Sequence, residues 1–441
     1  MKLSTRLIIP VLPALLLAST AYAEGSLSGS LLTKDQQKAD RIAVALLKDP
    51  AVQAARAEGV KKWSTLAAYA LPDGKANLEG AANEAEYAAL REVAAYSLSQ
   101  PAVIWVSAPP YSLGATKVPG SRYGGDNPDR IYRSIPVDPA HRYEIHGQRD
   151  RAHPSNDDFL FEAVAGLIGH PAAQLKAADV DVAADGTFTV TADSSPSNGK
   201  RNHLVLGAGV TDILLRDTLA DWSTQVPNEL TVKRVDTGAA ATRSPEALSK
   251  QAATEVGNFF DANIRFLEAV NKAPVNHPIA QIRKPEDGVA GAIAAGARFS
   301  LKHDEALVIT IAPAAAKYVG FQVTDPWFRS RPYWSTSGSL SSQQVKANSD
   351  GSLTYVIADH DPGYYNWLST VGSHDGLLLI RIEDFDQTKT PDPTKVIREA
   401  KVVKLSALAA ALPADAAKIT PAERATLLHK RHEGYFKRTA L

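Results

Sequence analysis

YVGFQVTDPWF (Tyr318–Phe328) and, beyond a run of Ser, Gly and Gln, DGSLTYVIADHDPGYYNWLSTVGSHDGLLLIR (Asp350–Arg381) carry three strand-like runs separated by polar, aromatic loops. Tyr318–Thr324, Ser352–Ala358 and Leu377–Ile382 are rich in β-branched and aromatic residues, and Asp350-Gly351 and Asp375-Gly376 supply turns between them. Working outward, Arg298–Leu301 and Ala306–Ile311 precede this stretch in the same style, and Val402–Leu405 follows it. The chain closes on Thr420-Pro421-Ala422-Glu423, a capping box with Pro at the first helical position. The basic run Lys430–Arg438 suits the end of that helix and reads as a solvated face.

Upstream, Ser244-Pro245 opens a long amphipathic helix, 244–271, with Val256, Phe259, Phe260, Ile264 and Leu267 on one face. Before it stands a second β-rich half. Ala102–Ser107, Arg130–Val137, His141–Gly147, Asp179–Ala183, Thr187–Thr191, Asn202–Leu206, Asp212–Arg216 and Leu230–Arg234 read as strands, with a short helix at Asn156–Leu167. A long Gly, Pro and aromatic loop follows the first of these strands, a length uncommon in a compact domain and often functional. Residues 33–99 are Ala-rich and helical, about four short helices opened by Thr33 with Gln36.

The expected fold is mainly β with α: a helical lead-in plus two antiparallel β-sandwich or jelly-roll units around a long central helix. The expected divisions are a signal peptide at 1–23, the lead-in at 24–100, a first β-rich domain at 101–243, the connecting helix at 244–271, and a C-terminal jelly-roll-like domain with a terminal helix at 272–441.

The 441 residues carry 48 Lys+Arg against 48 Asp+Glu, without the basic excess a nucleic-acid partner requires. Lys2 and Arg6, an apolar run and Ala21-Tyr22-Ala23 before Glu24 form a secretory signal sequence. Its removal leaves 46 basic against 48 acidic residues, a formal charge of −2. No second apolar run is long enough to span a membrane, so the expectation is a periplasmic or secreted chain without an integral membrane segment after cleavage. Cysteine is absent, which excludes disulfides, thiolate nucleophiles and cysteine metal sites. There is no Gly-rich phosphate loop, no G-x-S-x-G elbow and no standard metal-ligand signature, so neither a cofactor nor a metal is expected.

GDNPDRIYRSIPVD (Gly125–Asp138) and DHDPGYYNWL (Asp359–Leu368) resemble the bacterial family termed domain of unknown function 1214, which often follows the related domain 1254. Asp304–Val308, Tyr318 with Gln322, Asp325–Trp327, Asp350-Gly351, Gly372–Gly376, Arg381 and the closing PAER…KRHEGYFKR fit as well, over most of residues 100–440. Where that family often has a basic residue before Asp-Pro-Gly, this chain has His360. The resemblance implies a jelly-roll-like domain in an exported protein and no established reaction.

Candidate chemistry concentrates near these motifs. His360 reads as a general base with Asp361 as its partner or acid; equally, Asp361 caps the Pro362-Gly363 turn. Tyr132 is a second candidate for moving a proton. Arg133 and Arg381 lie in apolar strands, so each needs an anion: a substrate carboxylate or sulfate, or an internal partner such as Asp129, Asp325 or Asp361. Trp327 and Trp334, with Asn127 and Asn366, suit a carbohydrate cleft; the tryptophans equally serve as core plugs. Together these residues suggest an exported lyase or hydrolase acting on an acidic or polyhydroxylated small molecule or glycan. The alternatives are a ligand-binding module without catalysis and a structural envelope protein. The enzyme and binding readings require the Asn-Pro-Asp and Asp-Pro-Gly strips to share one pocket.

Overall fold

Thr33, Asp49 and Ser244 each open a helix with a side-chain oxygen on a first-turn amide, at Gln36, Ala51 and Ala247. In the computed structural model, which describes residues 29–166, 169, 171–236, 244–284, 291–313, 315–385 and 392–440, four helices lead the chain. They are α1 (Lys34–Leu46), α2 (Pro50–Trp63), α3 (Ala67–Ala70) and α4 (Pro72–Tyr96). The expected signal sequence lies outside the described residues.

Eleven strands follow: β1 (Ile104–Ser107), β2 (Tyr111–Leu113), β3 (Thr116–Val118), β4 (Arg130–Pro136), β5 (Tyr143–Gln148), β6 (Leu160–Val164), β7 (Pro171–Lys176), β8 (Thr187–Asp193), β9 (His203–Val205), β10 (Asp212–Thr218) and β11 (Glu229–Arg234). The long helix α5 (Pro245–Val270) separates them from β12 (Ile279–Ile282), β13 (Ile293–Ser300), β14 (Glu305–Ile311), β15 (Tyr318–Thr324), β16 (Ser339–Ser341), β17 (Leu353–Ala358), β18 (Trp367–Ser369), β19 (Asp375–Glu383) and β20 (Ile397–Lys404). Helices α6 (Leu408–Ala411) and α7 (Pro421–Phe436) close the described chain.

Each half is a sandwich of a five-stranded on a four-stranded sheet. The first half has the orders β1-β4-β10-β6-β7 and β11-β5-β8-β9, with β2–β3 as a separate hairpin. The second has β12-β13-β19-β15-β16 and β18-β17-β14-β20. If the hairpin is set aside and the strands of each half are counted from its start, the two halves share one order, 1-2-8-4-5 over 9-3-6-7. The likeness extends to pairing. Every ladder is antiparallel except β8 with β9 and β17 with β18, which occupy equivalent places. The two sandwiches are therefore topological repeats.

Alternation fills each sandwich. Ile213 and Leu215 of β10 join Ile145, Phe161 and Val190 in the first core, as Leu378 and Ile380 of β19 join Ile309, Phe321 and Tyr355 in the second. Leu214 and Leu377 instead face the helical layer, where α4 packs on β1, β4 and β19 and α5 packs on α2, α4 and β13.

Two expected elements are corrected. The stretch read as a helix at Asn156–Leu167 contains β6; Phe159, Phe161 and Ala163 enter the core on a period of two, which outweighs the capping signal of Asn156. Leu167 itself lies outside the described residues. The strand expected at Asp179–Ala183 is a single 3-10 turn, Ala177–Asp179, and the strand stands earlier, at β7. Proline at the start of an edge strand, as Pro171 is here, masks such a strand in the sequence.

Candidate functional site

The outer faces of β4–β10 and β13–β19 look across a cleft of about 1160 Å³ closed along one side by α5. Leu214, Phe266, Ile279, Phe328, Leu377 and Leu379 give it apolar walls. Its charged lining includes Asp126, Arg130, Arg216, Arg381 and Glu383, with Tyr123 and Tyr132 beside them. A large apolar hollow with a few convergent polar groups is the ordinary form of a small-molecule site.

The repeat explains the charges. Arg216 stands opposite Leu160 and Tyr132 across its strand, and Arg381 stands opposite Gly320 and Ala294. The strands Leu214-Leu215-Arg216 and Leu379-Ile380-Arg381 are thus equivalent, and so are Glu162 and Gln322, which face Leu214 and Leu379. In the first half the Glu162 carboxylate meets Arg216 at 2.8 Å. In the second half the same position is a neutral amide, and Arg381 donates to Gln322 Oε1 at 2.5 Å and to the carbonyl of Gly125. Among the described residues no carboxylate is in ion-pair contact with Arg381. Arg130 is different: it is held by Glu383 and Asp158, whose charges outweigh the burial that would otherwise ease its proton off.

The loop before β4 builds the other lip. Gly125 has φ +66, and a Cβ there would stand 2.4 Å from the Phe328 ring, so only glycine fits. Its amide donates to Phe328 O at 2.8 Å. Phe328 is itself left-handed, φ 58, held there by Asp325, whose Oδ1 accepts from Trp327 N and Arg329 N. A bulky residue in that region is strained, and here the strain aims an aromatic face at Phe266, ring centres 5.2 Å apart. Asp126 is buried and accepts from Ser330 Oγ at 2.8 Å; burial pushes its carboxyl up to about 6 despite the pull of Arg122.

The expected site residues divide. Arg381 and Tyr132 line the cleft. Asn127 buttresses it: its Nδ2 donates to Tyr318 Oη at 2.9 Å, and Tyr318 donates to Asp129 at 2.8 Å, joining the two halves. Arg133 is corrected to an internal role, since it points into the first half and donates to Asp217 Oδ2 at 2.8 Å and Asn228 O at 2.6 Å. Trp327 is a core plug, stacked on Trp63 at 5.4 Å with Nε1 on Gly74 O. Trp334 lies under the Arg122 guanidinium, 4.7 Å away, not on the cleft wall.

The Asp-Pro-Gly strip does not reach the cleft, which corrects the expectation for His360, Asp361 and Asn366. Asp361 Oδ1 accepts from Gly363 N, and its Oδ2 accepts from Arg424 Nε at 3.0 Å, so it closes a turn and anchors α7. Asn366 is spent on Lys346 and Thr354 backbone groups. His360 is exposed beside Asp359. Asp126, Arg216, Gln322 and Glu383 are not among the site residues expected from the sequence. The signal that finds three of them is the pairing of two similar strands, 212–218 and 377–383, with their partners β6 and β15.

No protein-family model matches the chain, and no curated protein matches it either. Among solved structures it is similar to an uncharacterised protein of Burkholderia cenocepacia, TM-score 0.67 at 22% identity, over 83% of this chain and 99% of that one. That likeness shows a shared fold. The VPA0106 protein of Vibrio parahaemolyticus aligns at a TM-score of 0.41 and 11% identity, over 64% of this chain and 90% of that one. The class defined is a helix-backed tandem β-sandwich, mainly β with α. Among the described residues no helix is long and apolar enough to cross a membrane.

Proposed function

We propose that the chain is an exported protein that holds a small amphipathic acid in the cleft between its sandwiches. One observation carries this reading: among the described residues Arg381, which lines an apolar-walled hollow, has only neutral oxygens as partners, where its counterpart Arg216 has a carboxylate. A half-buried guanidinium without an anion favours a ligand that brings one, and its planar fork suits a carboxylate. Phe266, Phe328, Leu377 and Leu379 suit a hydrocarbon or aromatic body better than a sugar, because Trp327 and Trp334 do not face the cleft. Export rests on residues 1–23 and on the resemblance to the domain 1214 family.

Titration calorimetry with straight-chain and aromatic carboxylates, each beside the alcohol of the same skeleton, tests this. The acids are expected to bind and the alcohols to bind far more weakly. Arg381→Met should weaken the acids by about ten-fold to a hundred-fold, the worth of a hydrogen-bonded charge. Equal binding of acid and alcohol, or an unaffected Arg381→Met, overturns the reading.

Catalysis by a hydrolase or lyase route is the second reading, favoured by Asp126, a cleft carboxyl poised near 6 by burial. If a bound acid is turned over, Asp126→Asn should lower kcat and leave KM nearly unchanged; full turnover by that variant ends the catalytic assignment.

A further inference from the structure

A second group of ligand-type side chains lies at one end of the C-terminal sandwich, away from the cleft. His303 sits in the turn between β13 and β14, and Asp359 and His360 follow β17. The antiparallel register of β14 with β17, Leu307 opposite Ile357, brings the residue before one strand to those after the other. Asp359 Oδ2 stands 3.0 Å from Nδ1 of His303 and 3.0 Å from Nδ1 of His360. The two imidazole rings meet at 89° with centres 4.1 Å apart. One ligand atom from each of the three residues lies within 4.8 Å of the other two, the only such group among the described residues.

We infer that His303, Asp359 and His360 form a binding site for a divalent transition-metal ion of the zinc type. Two imidazoles and one carboxylate are the donor set that zinc, copper(II) and nickel prefer, whereas calcium and magnesium call for oxygen donors. The imidazoles are 67% and 58% exposed, so an ion reaches them from solvent, and Asp359, 16% exposed, is the fixed member. Three protein donors leave a coordination position for water or a second molecule. In the sequence His360 also stands near Asp361, His374 and Asp375, a set whose spacing matches no standard ligand signature. The structure separates that set: Asp361 is held by Arg424, and His374 Nδ1 contacts the carbonyl of Leu301 at 3.0 Å. His141, His146, His153, His203 and His429 each meet a single carboxylate, as His429 meets Glu433.

The test is titration of the full chain, free of any polyhistidine tag, with zinc chloride by calorimetry and with cobalt(II) by visible absorption. One site is expected. His303→Ala and His360→Ala should each weaken zinc by about ten-fold or more and remove the cobalt absorption. His429→Ala should change neither reading. Because both mutated imidazoles are exposed, the variants should keep the parent melting temperature without metal. Lack of zinc binding up to about 1 mM overturns the site. So does binding that survives in the His303→Ala/His360→Ala double variant, or an equal loss in His429→Ala.

Discussion

Arg133 and Arg381 are indistinguishable by local pattern: each is a guanidinium in an apolar strand that requires an anion. What separates them sits far along the chain. Arg133 finds Asp217, 84 residues on, while Arg381 finds the amide of Gln322, 59 residues back, and the carbonyl of Gly125, both neutral. No window of sequence shows which charge is satisfied. Asp126 is hidden for the same reason, since its high proton affinity comes from burial under elements distant in the chain. That burial has a sign. The folded carboxyl, near 6, holds its proton more tightly than the unfolded one, near 3.8. Between those values the folded state binds more protons, so its stability contribution is full below about pH 3.8 and is lost as pH rises through about 6. Two units at about 1.4 kcal/mol each set the ceiling at about 3 kcal/mol. Asp126→Asn should therefore gain up to about 3 kcal/mol at pH 8 and little at pH 4, read by guanidinium unfolding at both. A variant whose stability tracks the parent at both pH values would mean that Asp126 is not desolvated as described.

At the scale of elements, helices were the most legible part. The capping boxes and the apolar face of α5 are local signals, and helix ends fall within a few residues of them. The terminal helix was legible in position but not in orientation. Its basic run looked solvated, yet Arg431 and Arg438 are buried. Arg431 lies 3.9 Å from the centre of the Trp222 ring and donates to Tyr333 O, Gln344 and Ser339, with burial pulling its proton affinity down to about 10. Trp222 belongs to the other half, so the face that receives α7 is invisible from the helix itself. Gly434 marks how close that approach is: a Cβ would stand 2.8 Å from Trp222 O and 3.0 Å from its carbonyl carbon. Backbone cannot give as a side chain does. Gly434→Ala should lose about 1–3 kcal/mol, against the roughly 1 kcal/mol that alanine ordinarily adds to a helix. Gly257→Ala in α5, with nothing within 4 Å of the new methyl, should show that gain instead. Equal effects at the two positions, measured by thermal unfolding, would contradict the close seat of α7 on Trp222.

For the whole molecule, two β-rich halves around a helix were readable, but not that both follow one strand order. Strand order is set by pairing between distant segments, whereas alternation and turn residues report only that strands exist. The repeat puts equivalent arginines on facing walls of one cleft and lets a single exchange decide their charge, Glu162 in one half and Gln322 in the other. It follows that each half can be converted toward the other. Gln322→Glu would place a carboxylate on Arg381 as Glu162 sits on Arg216. It should abolish acid binding while raising stability in the absence of ligand. Glu162→Gln would leave Arg216, 18% exposed, without its partner. That variant should lose about 1–3 kcal/mol, the cost of an unmatched buried charge at a site still reached by water. Added carboxylate should restore part of that loss through binding to the folded state. The paired result is specific: one variant becomes more stable and blind to acids, and the other becomes less stable and more responsive to them. A Gln322→Glu chain that still binds acids would show that the free charge of Arg381 is not what the ligand meets, and that the repeat governs architecture alone.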